Sequence, residues 1–409
     1  MENLYQTLKQ RGFVSQVTGE EEVEKLLAGG PVTAYIGFDP TAASLHAGSL
    51  LPLMALHHFR LAGHRPLAVL GGGTALVGDP SGKTEMRPLL AREQIRENAR
   101  SLEEQIRRFI GGEGLVVDNA EWLLELNYIE FLRDIGRHFS VNRMLSHESY
   151  RIRLQKGLSF LEFNYQLLQA YDFLQLFRRH GCNLQMGGDD QWGNIVAGMD
   201  LIRRLEGRPA YGLTFPLLET SSGQKMGKTA AGAVWLDERL TSVHDFFQYF
   251  RNTDDRDVER FLKLFTLLPL EEIAEMVAEG VAGLNRAKER LAYEVCLLVH
   301  GRQAAEQARA AARAAFAGGG DEDAIPTTRL DPGRLRQGIL LVDLLCEVGL
   351  CRSKSEARRL VQQGGARLGE NRITSIEQQL SLADVAGGAV LLRAGKKRLR
   401  RLVAGEEEE

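Results

Sequence analysis

Cysteine is scarce. The 409 residues hold four, Cys182, Cys296, Cys346 and Cys351, and none forms a CxxC pair. That argues against a disulfide framework and a cysteine zinc site, and points to free thiols in the cytosol. Long apolar runs are lacking too: none approaches the roughly 20 residues needed to cross a bilayer. The opening residues, MENLYQTLKQRGFVSQ, show no basic stretch followed by an apolar one, so no secretory signal is expected. The 43 glycines follow no Gly-X-Y period, which excludes collagen. With 44% hydrophobic and 26% charged residues, the composition is that of a soluble globular protein of two or three domains.

The net charge of −3 conceals an asymmetry. Residues 334–404 carry 14 Lys/Arg against 6 Asp/Glu, and four glutamates follow at 406–409. A basic module on an acidic body suits a polyanionic partner such as nucleic acid. A solvated charged face would produce the same count.

The pattern of elements indicates an α/β fold. Residues 1–30 read as helical. VTAYIGFD (32–39) reads as a buried strand, SLHAGSLLPLMALHHFRLAG (44–63) as a helix and RPLAVLGGG (65–73) as a second strand. Strand, helix, strand at this spacing is a βαβ unit and implies a parallel sheet. Residues 92–110 form an amphipathic helix, 114–123 a short strand and turn, and 128–180 are mostly helical. CNLQMGG (182–188) is strand-like before a helix at 191–205. This predicts a domain over 1–235 with a helical insertion, then an α-helical domain over 236–316. The Gly/Pro/acid stretch 317–333 reads as a linker to a basic module over 334–409, with two helices and short strands.

Five motifs carry chemistry. In Tyr35-Ile-Gly-Phe-Asp-Pro-Thr followed by His46-Ala-Gly-Ser, a strand ends where a helix begins. Ligands bind at such carboxyl ends, and helix N-termini stabilise phosphate. Thr41 and His46 would stand there, although an isolated histidine serves structure as readily. GGGTALVGDPSGKTEMR (71–87) fails the Walker spacing, because Val77 stands where a glycine is needed. It remains a Gly-rich segment bringing Lys83 and Arg87 to a polyphosphate, or else a solvent loop. Tyr165, Gln169 and Asp172 share one helix face at i, i+4 and i+7, a polar stripe for a ligand or for solvent. LQMGGDDQWGN (184–194) ends a strand in glycines and acids, suited to ribose hydroxyls or to a turn. Lys225-Met-Gly-Lys-Thr (225–229) is a loop with two lysines three apart, which becomes a clamp if paired with a phosphate site.

In this order the motifs resemble those of the bacterial tyrosyl-tRNA synthetases, class I aminoacyl-tRNA synthetases, over about residues 30–403. HAGS (46–49) stands for HIGH and KMGKT (225–229) for KMSKS. CRSKSEARRLVQQGGARLGE is similar to part of an S4-type RNA-binding domain. Ser49 replaces the last HIGH histidine with a shorter donor, and Gly227 replaces a serine, losing a hydroxyl and gaining mobility.

The resemblance implies a Rossmann-like catalytic domain with helical insertion, an α-helical domain and a small α+β S4-like domain. It implies a cytoplasmic homodimer joined through the insertion around Phe160, with no membrane. It implies L-tyrosine, ATP with Mg²⁺ and tRNA(Tyr) as substrates, with no resident metal or prosthetic group. Thr41, His46, Lys83, Arg87, Lys225, Lys228 and Thr229 would stabilise the transferring phosphates. Gly37, Asp39, Ser49, Gly188 and Asp190, with His46 and Lys228, would hold ATP. Asp79, Tyr165 and Gln169 would take the tyrosine ammonium, Gln191 would lie near its carboxylate, and Tyr35 and Asp172 would hold the phenol. Arg352, Lys354, Arg358 and Arg359 would meet tRNA. A tryptophanyl relative, a non-catalytic RNA-binding protein and a P-loop ATPase are the rival readings. The Tyr35/Asp172 pair, the set His46, Lys225 and Lys228, and the failed Walker spacing count against them in turn.

Overall fold

The computed structural model describes residues 3–82, 90–229, 232–317, 327–369, 371–385, 389–395 and 398–405; at 149, 228–229 and 315–317 it describes the backbone only. The chain divides into two compact units, Met1–Arg302 and Gln303–Glu409. The segments read as catalytic and α-helical domains therefore lie in one unit, while the end of the helical segment, from residue 303, belongs to the second.

The first unit is built on a six-stranded sheet. Its strands are β1 (Gln16–Val17), β2 (Thr33–Phe38), β3 (Arg65–Leu70), β4 (Leu115–Asp118), β5 (Cys182–Gly188) and β6 (Tyr211–Phe215). Their order is β1-β6-β5-β2-β3-β4, all parallel except β1, which runs antiparallel to β6. From β2 the chain winds through β3 and β4 on one side and resumes with β5 and β6 on the other. The order thus reverses at the β2–β5 junction, where an open α/β sheet leaves a crevice beyond its strand ends. Burial of Ala34, Tyr35 and Ile36 in succession shows β2 covered on both faces. The two-residue β1 and the strand β6 were not legible as strands beforehand.

The helix expected over 44–63 begins later, as Leu50–Leu61. Residues Ala47–Ser49 make a 3-10 turn, with the His46 side chain accepting from Gly48 N at its start. Leu53, Met54, Ala55, Leu56 and Phe59 are fully buried. The amphipathic helix Arg92–Ile110 lies where its periodicity put it, burying Ile95, Leu102, Ile106 and Phe109. Buried Arg11 donates to the carbonyls of Lys263, Thr266 and Leu268, tying the first helix to the later helical segment. Fixing three carbonyl acceptors with one guanidinium is a strong local constraint, because a lost partner would leave buried groups unsatisfied.

In the second unit, a five-stranded sheet runs Asn371–Arg372, Ala366–Leu368, Val390–Ala394, Arg398–Ala404, Thr327–Leu330. Helices Leu341–Glu347 and Lys354–Gln362 contribute Leu344, Leu345, Ala357 and Val361 to its core. The linker expected over 317–333 therefore needs correction. Thr327–Leu330 pairs parallel with Arg401–Ala404, and Leu330 is buried in the core. A short strand with one buried leucine gives too weak a pattern beside Gly, Pro and acid to stand out.

Candidate active site

At the β2–β5 junction lies a cavity of about 550 Å³. Its walls come from the carboxyl end of β2 with the HAGS turn, from the helix Tyr165–His180, and from the end of β5 with the hairpin before KMGKT. Residues from all five motifs converge there: Tyr35, Gly37, Asp39, His46, Ser49, Asp79, Tyr165, Gln169, Asp172, Gly188, Asp190, Gln191 and Lys225 all line it. Thr41 does not. It is exposed, and its backbone N–H donates to the Asp39 carbonyl at 2.8 Å. Lys83 and Arg87 lie outside the described residues. Lys228 and Thr229 form a short strand paired with Gly232–Ala233, and their side chains lie outside the description.

The floor is polar and buried. Asp172 accepts from Asn119 Nδ2 at 2.8 Å and from Trp122 Nε1 at 2.7 Å. Burial pushes its carboxyl up to about 8, against the lowering effect of those two donors; Asp39 and Asp118 add to the rise. The Tyr35 hydroxyl is buried with no partner, and burial and then the Asp172 charge raise it well above its ordinary range. A buried unpartnered hydroxyl costs free energy unless something else bonds it, so a ligand group is its natural complement. Gln185 pairs with Tyr35 in sheet register, and its Oε1 is likewise buried without a partner at the cavity wall.

One wall is a connected amide network. Asp79 accepts from Ser81 N at 2.8 Å and from Gln191 Nε2 at 2.7 Å. Gln191 Oε1 accepts from Gln169 Nε2 and from Asn194 Nδ2, both at 3.1 Å. Asp39 accepts from Thr74 Oγ1 at 2.9 Å and from the Tyr165 hydroxyl at 3.1 Å. Asp39, read as an ATP residue, thus also fixes Tyr165. Asp39, Asp79 and Asp190 give the cavity an acidic character that favours an ammonium group, whereas a polyphosphate needs added cations.

At the rim the HAGS turn and the KMGKT loop are pressed together. His46 Nδ1 accepts from Gly48 N at 3.0 Å, which in the neutral ring leaves the proton on Nε2. A Cβ on Gly48 would stand 2.7 Å from Met226 O, so glycine is needed there for close approach. Gly227 has φ +79°, and a Cβ on it would meet Gly48 N at 2.6 Å. Glycine at 227 is thus explained by left-handed backbone and contact, where mobility was the expectation. Gly188 also serves close approach, since a Cβ there would lie 2.7 Å from Asp190 Oδ1. Gly37 has open space around it.

The residues not foreseen are Asn119, Trp122, Thr74, Ser81, Gln185 and Asn194. Asn119 was the most accessible to reasoning, since it directly follows the β4 carboxyl end, where such folds bind ligands. In the second unit Arg352, Lys354, Arg358 and Arg359 are all exposed, and Lys354 pairs with Asp343 at 2.9 Å.

Residues 27–317 match the family described as class I tRNA synthetases (W and Y). Fold, cavity and signature turns together define a class I tRNA synthetase. Residues 321–401 match the tyrosine–tRNA ligase SYY-like C-terminal domain. The tyrosine–tRNA ligase of Desulfatibacillum aliphaticivorans is 53% identical over 427 residues, covering 99% of each chain. That of Acetivibrio thermocellus is 50% identical over 405 residues, covering 98% of this chain and 99% of its own. Among solved structures, a C-terminally truncated Aspergillus nidulans mitochondrial tyrosyl-tRNA synthetase aligns with TM-score 0.68 at 30% identity, covering 76% of this chain and 93% of that one. The chain belongs to the tyrosine–tRNA ligase family.

Proposed function

We propose that this chain activates L-tyrosine with Mg-ATP, giving tyrosyl-adenylate and pyrophosphate, and then passes the tyrosyl group to the terminal adenosine of tRNA(Tyr). The observation that carries the amino-acid assignment is the unpartnered Tyr35 hydroxyl beside the Asp172 carboxyl on a buried floor. A phenol bonds the Tyr35 hydroxyl and donates to Asp172, whereas phenylalanine would leave the Tyr35 hydroxyl without a partner. Tyrosine–tRNA ligases are the known example of rejection on this ground.

The tyrosine carboxylate is already a nucleophile, so attack on the α-phosphorus needs no protein base. Catalysis rests on positioning and on stabilising charge at phosphorus. Asp79, Tyr165 and Gln169 take the ammonium, and Gln191, fixed by Asp79, faces the carboxylate. Asp190 at the β5 end holds ribose, with Gly37 and Gly188 beside adenosine. Asp39 and Ser49 complete the nucleotide side, and His46 donates to the phosphates. Lys225, Lys228, Thr229, Lys83 and Arg87 draw off charge as pyrophosphate leaves. Mg²⁺ enters with the nucleotide as part of the substrate.

The exposed face of Arg352, Lys354, Arg358 and Arg359 serves tRNA in a separate RNA-binding domain. The enzyme works in the cytoplasm as a homodimer joined through the insertion. In support, Ile152, Leu154, Phe160 and Leu161 are exposed there, Phe160 at 69%. The buried ion pair Arg153–Glu162 and the Ser159 capping box fix the turn that presents Phe160.

The test is pyrophosphate exchange into ATP with each of the twenty amino acids in turn. Exchange with tyrosine alone is expected. Exchange with tryptophan, or with tyrosine and phenylalanine equally, would overturn the reading.

A further inference from the structure

The segment from Leu218 to Gly227 leads into the signature loop. It is a hairpin: Met226 N donates to Leu218 O, Thr220 N to Gln224 O, and Glu219 and Lys225 form a bridge. Three side chains of the helical segment that follows hold it. At the tip, Ser221 N donates to Asp257 Oδ2 at 2.8 Å. On the outgoing arm, Arg260 donates to Glu219 O at 2.6 Å while also bonding Asp257 Oδ1 at 2.8 Å. At the base, Gly227 N donates to the Tyr249 hydroxyl at 3.0 Å, and that hydroxyl donates to Met226 Sδ at 3.2 Å. Lys225 thus stands between two anchors, one at the tip and one at the base.

The arrangement carries a consequence for the chemistry. A lysine ammonium on a flexible stem stabilises a transition state only if its backbone is placed in advance. Lys225 itself is exposed, so its own packing does not place it. Placement comes instead through the backbone of its neighbours, and the groups that grip this backbone lie on Val243–Arg251, on the turn Asp255–Asp257 and on Val258–Phe265. Asp257 is buried, so its bonds to Ser221 N and Arg260 compete little with water. Tyr249 is half-buried and packs edge-on against Phe250, so its hydroxyl is held in position.

We propose that Tyr249, Asp257 and Arg260 are positioning residues for the activation step, acting on ATP through the backbone around Lys225. The inference rests on the reading of Lys225 as part of the pyrophosphate clamp. It makes the helical segment part of the catalytic apparatus, without contact between those three side chains and substrate.

The experiment is a double-mutant cycle on the full chain, read by single-turnover formation of tyrosyl-adenylate, tyrosine Kd and Tm. Tyr249→Phe removes only the hydroxyl, and Asp257→Asn acts independently at the hairpin tip. Each is expected to lower the activation rate constant about tenfold with tyrosine Kd unchanged. In a Lys225→Ala background the same changes should cost less than about twofold, because the group they position is gone. Equal losses in both backgrounds would overturn the inference while leaving the clamp intact. Undiminished rates in both single variants would also overturn it. A normal rate for Lys225→Ala would sink the clamp itself and the inference with it. A wild-type chain without tyrosine-dependent exchange would sink the functional reading, which is a separate result.

Discussion

At the floor of the pocket Asp172 is held by two side-chain donors from a different part of the chain, and Tyr35 projects from the central strand. At the rim Lys225 is exposed, and its neighbours are held through backbone N–H and carbonyl groups. The difference follows from the two tasks. Recognising a phenol requires desolvated partners that stay put whether or not substrate is present. Stabilising charge that moves onto a leaving group requires a cation placed by its backbone and free to follow at its tip. Floor residues should therefore govern which amino acid binds, and rim residues how fast it reacts.

The largest expected effect leaves both regions untouched. Every floor and rim residue precedes residue 236, so a chain truncated after Ala317 should make tyrosyl-adenylate at the full rate. It should fail to charge tRNA efficiently, and the steep salt dependence of tRNA affinity should flatten. The cut belongs after Ala317 because Thr327–Leu330 is part of the second unit's sheet. Equal salt slopes and equal charging by the two chains would show that the basic module serves another partner.

Next comes Lys225→Ala, expected to slow activation by about a hundredfold while leaving tyrosine Kd within about twofold. Asp172→Asn follows. An amide in that place offers a donor where Asn119 or Trp122 already donates, leaving a buried group unpaired at about 1–3 kcal/mol. Tyrosine binding and thermal stability should both fall; calorimetry and equilibrium dialysis would register them. Tyr35→Phe should be milder and differ in kind. Its hydroxyl has no partner in the free protein, so Tm should hold or rise. Selection against phenylalanine should weaken by about 0.5–1.5 kcal/mol. A drop in Tm with unchanged selectivity would break the comparison.

The smallest effect is a proton. Burial holds the Asp172 carboxyl up near 8, whereas an unfolded aspartate ionises near its ordinary value of about 4. Between those values the folded state carries one more proton. Its contribution to stability therefore declines as pH rises from about 4 to about 8, and is level above. A phenol that donates to Asp172 favours the ionised form. Tyrosine binding near neutral pH should therefore release a proton, and affinity should rise with pH up to about 8. Calorimetry in buffers of different ionisation heat would show the release with tyrosine and its absence in Asp172→Asn. Equal proton release by the variant would assign it to another group.

Much of this was legible in the sequence because the central strands and their glycine-rich ends follow strong local rules. The strand at 32–39, the βαβ unit and the polar stripe Tyr165, Gln169, Asp172 all fell where periodicity and position placed them. What escaped depended on contacts between distant segments. Asn119 and Trp122 take their role from Asp172, 53 and 50 residues on, and no local pattern announces that pairing. Thr41 was placed by its motif, yet the chain turns it out to solvent. Gly227 was read as a source of mobility, and only the approach of Gly48 shows why a side chain is excluded there.

The most direct test places one residue of each region side by side. Tyrosine Kd and the single-turnover rate constant for adenylate formation would be measured for Tyr35→Phe and Lys225→Ala. The account predicts that Tyr35→Phe shifts the preference for tyrosine over phenylalanine with the rate constant nearly intact, and that Lys225→Ala does the reverse. If Lys225→Ala loses tyrosine affinity at a normal rate, or Tyr35→Phe slows the chemistry without altering selection, the division between floor and rim is contradicted.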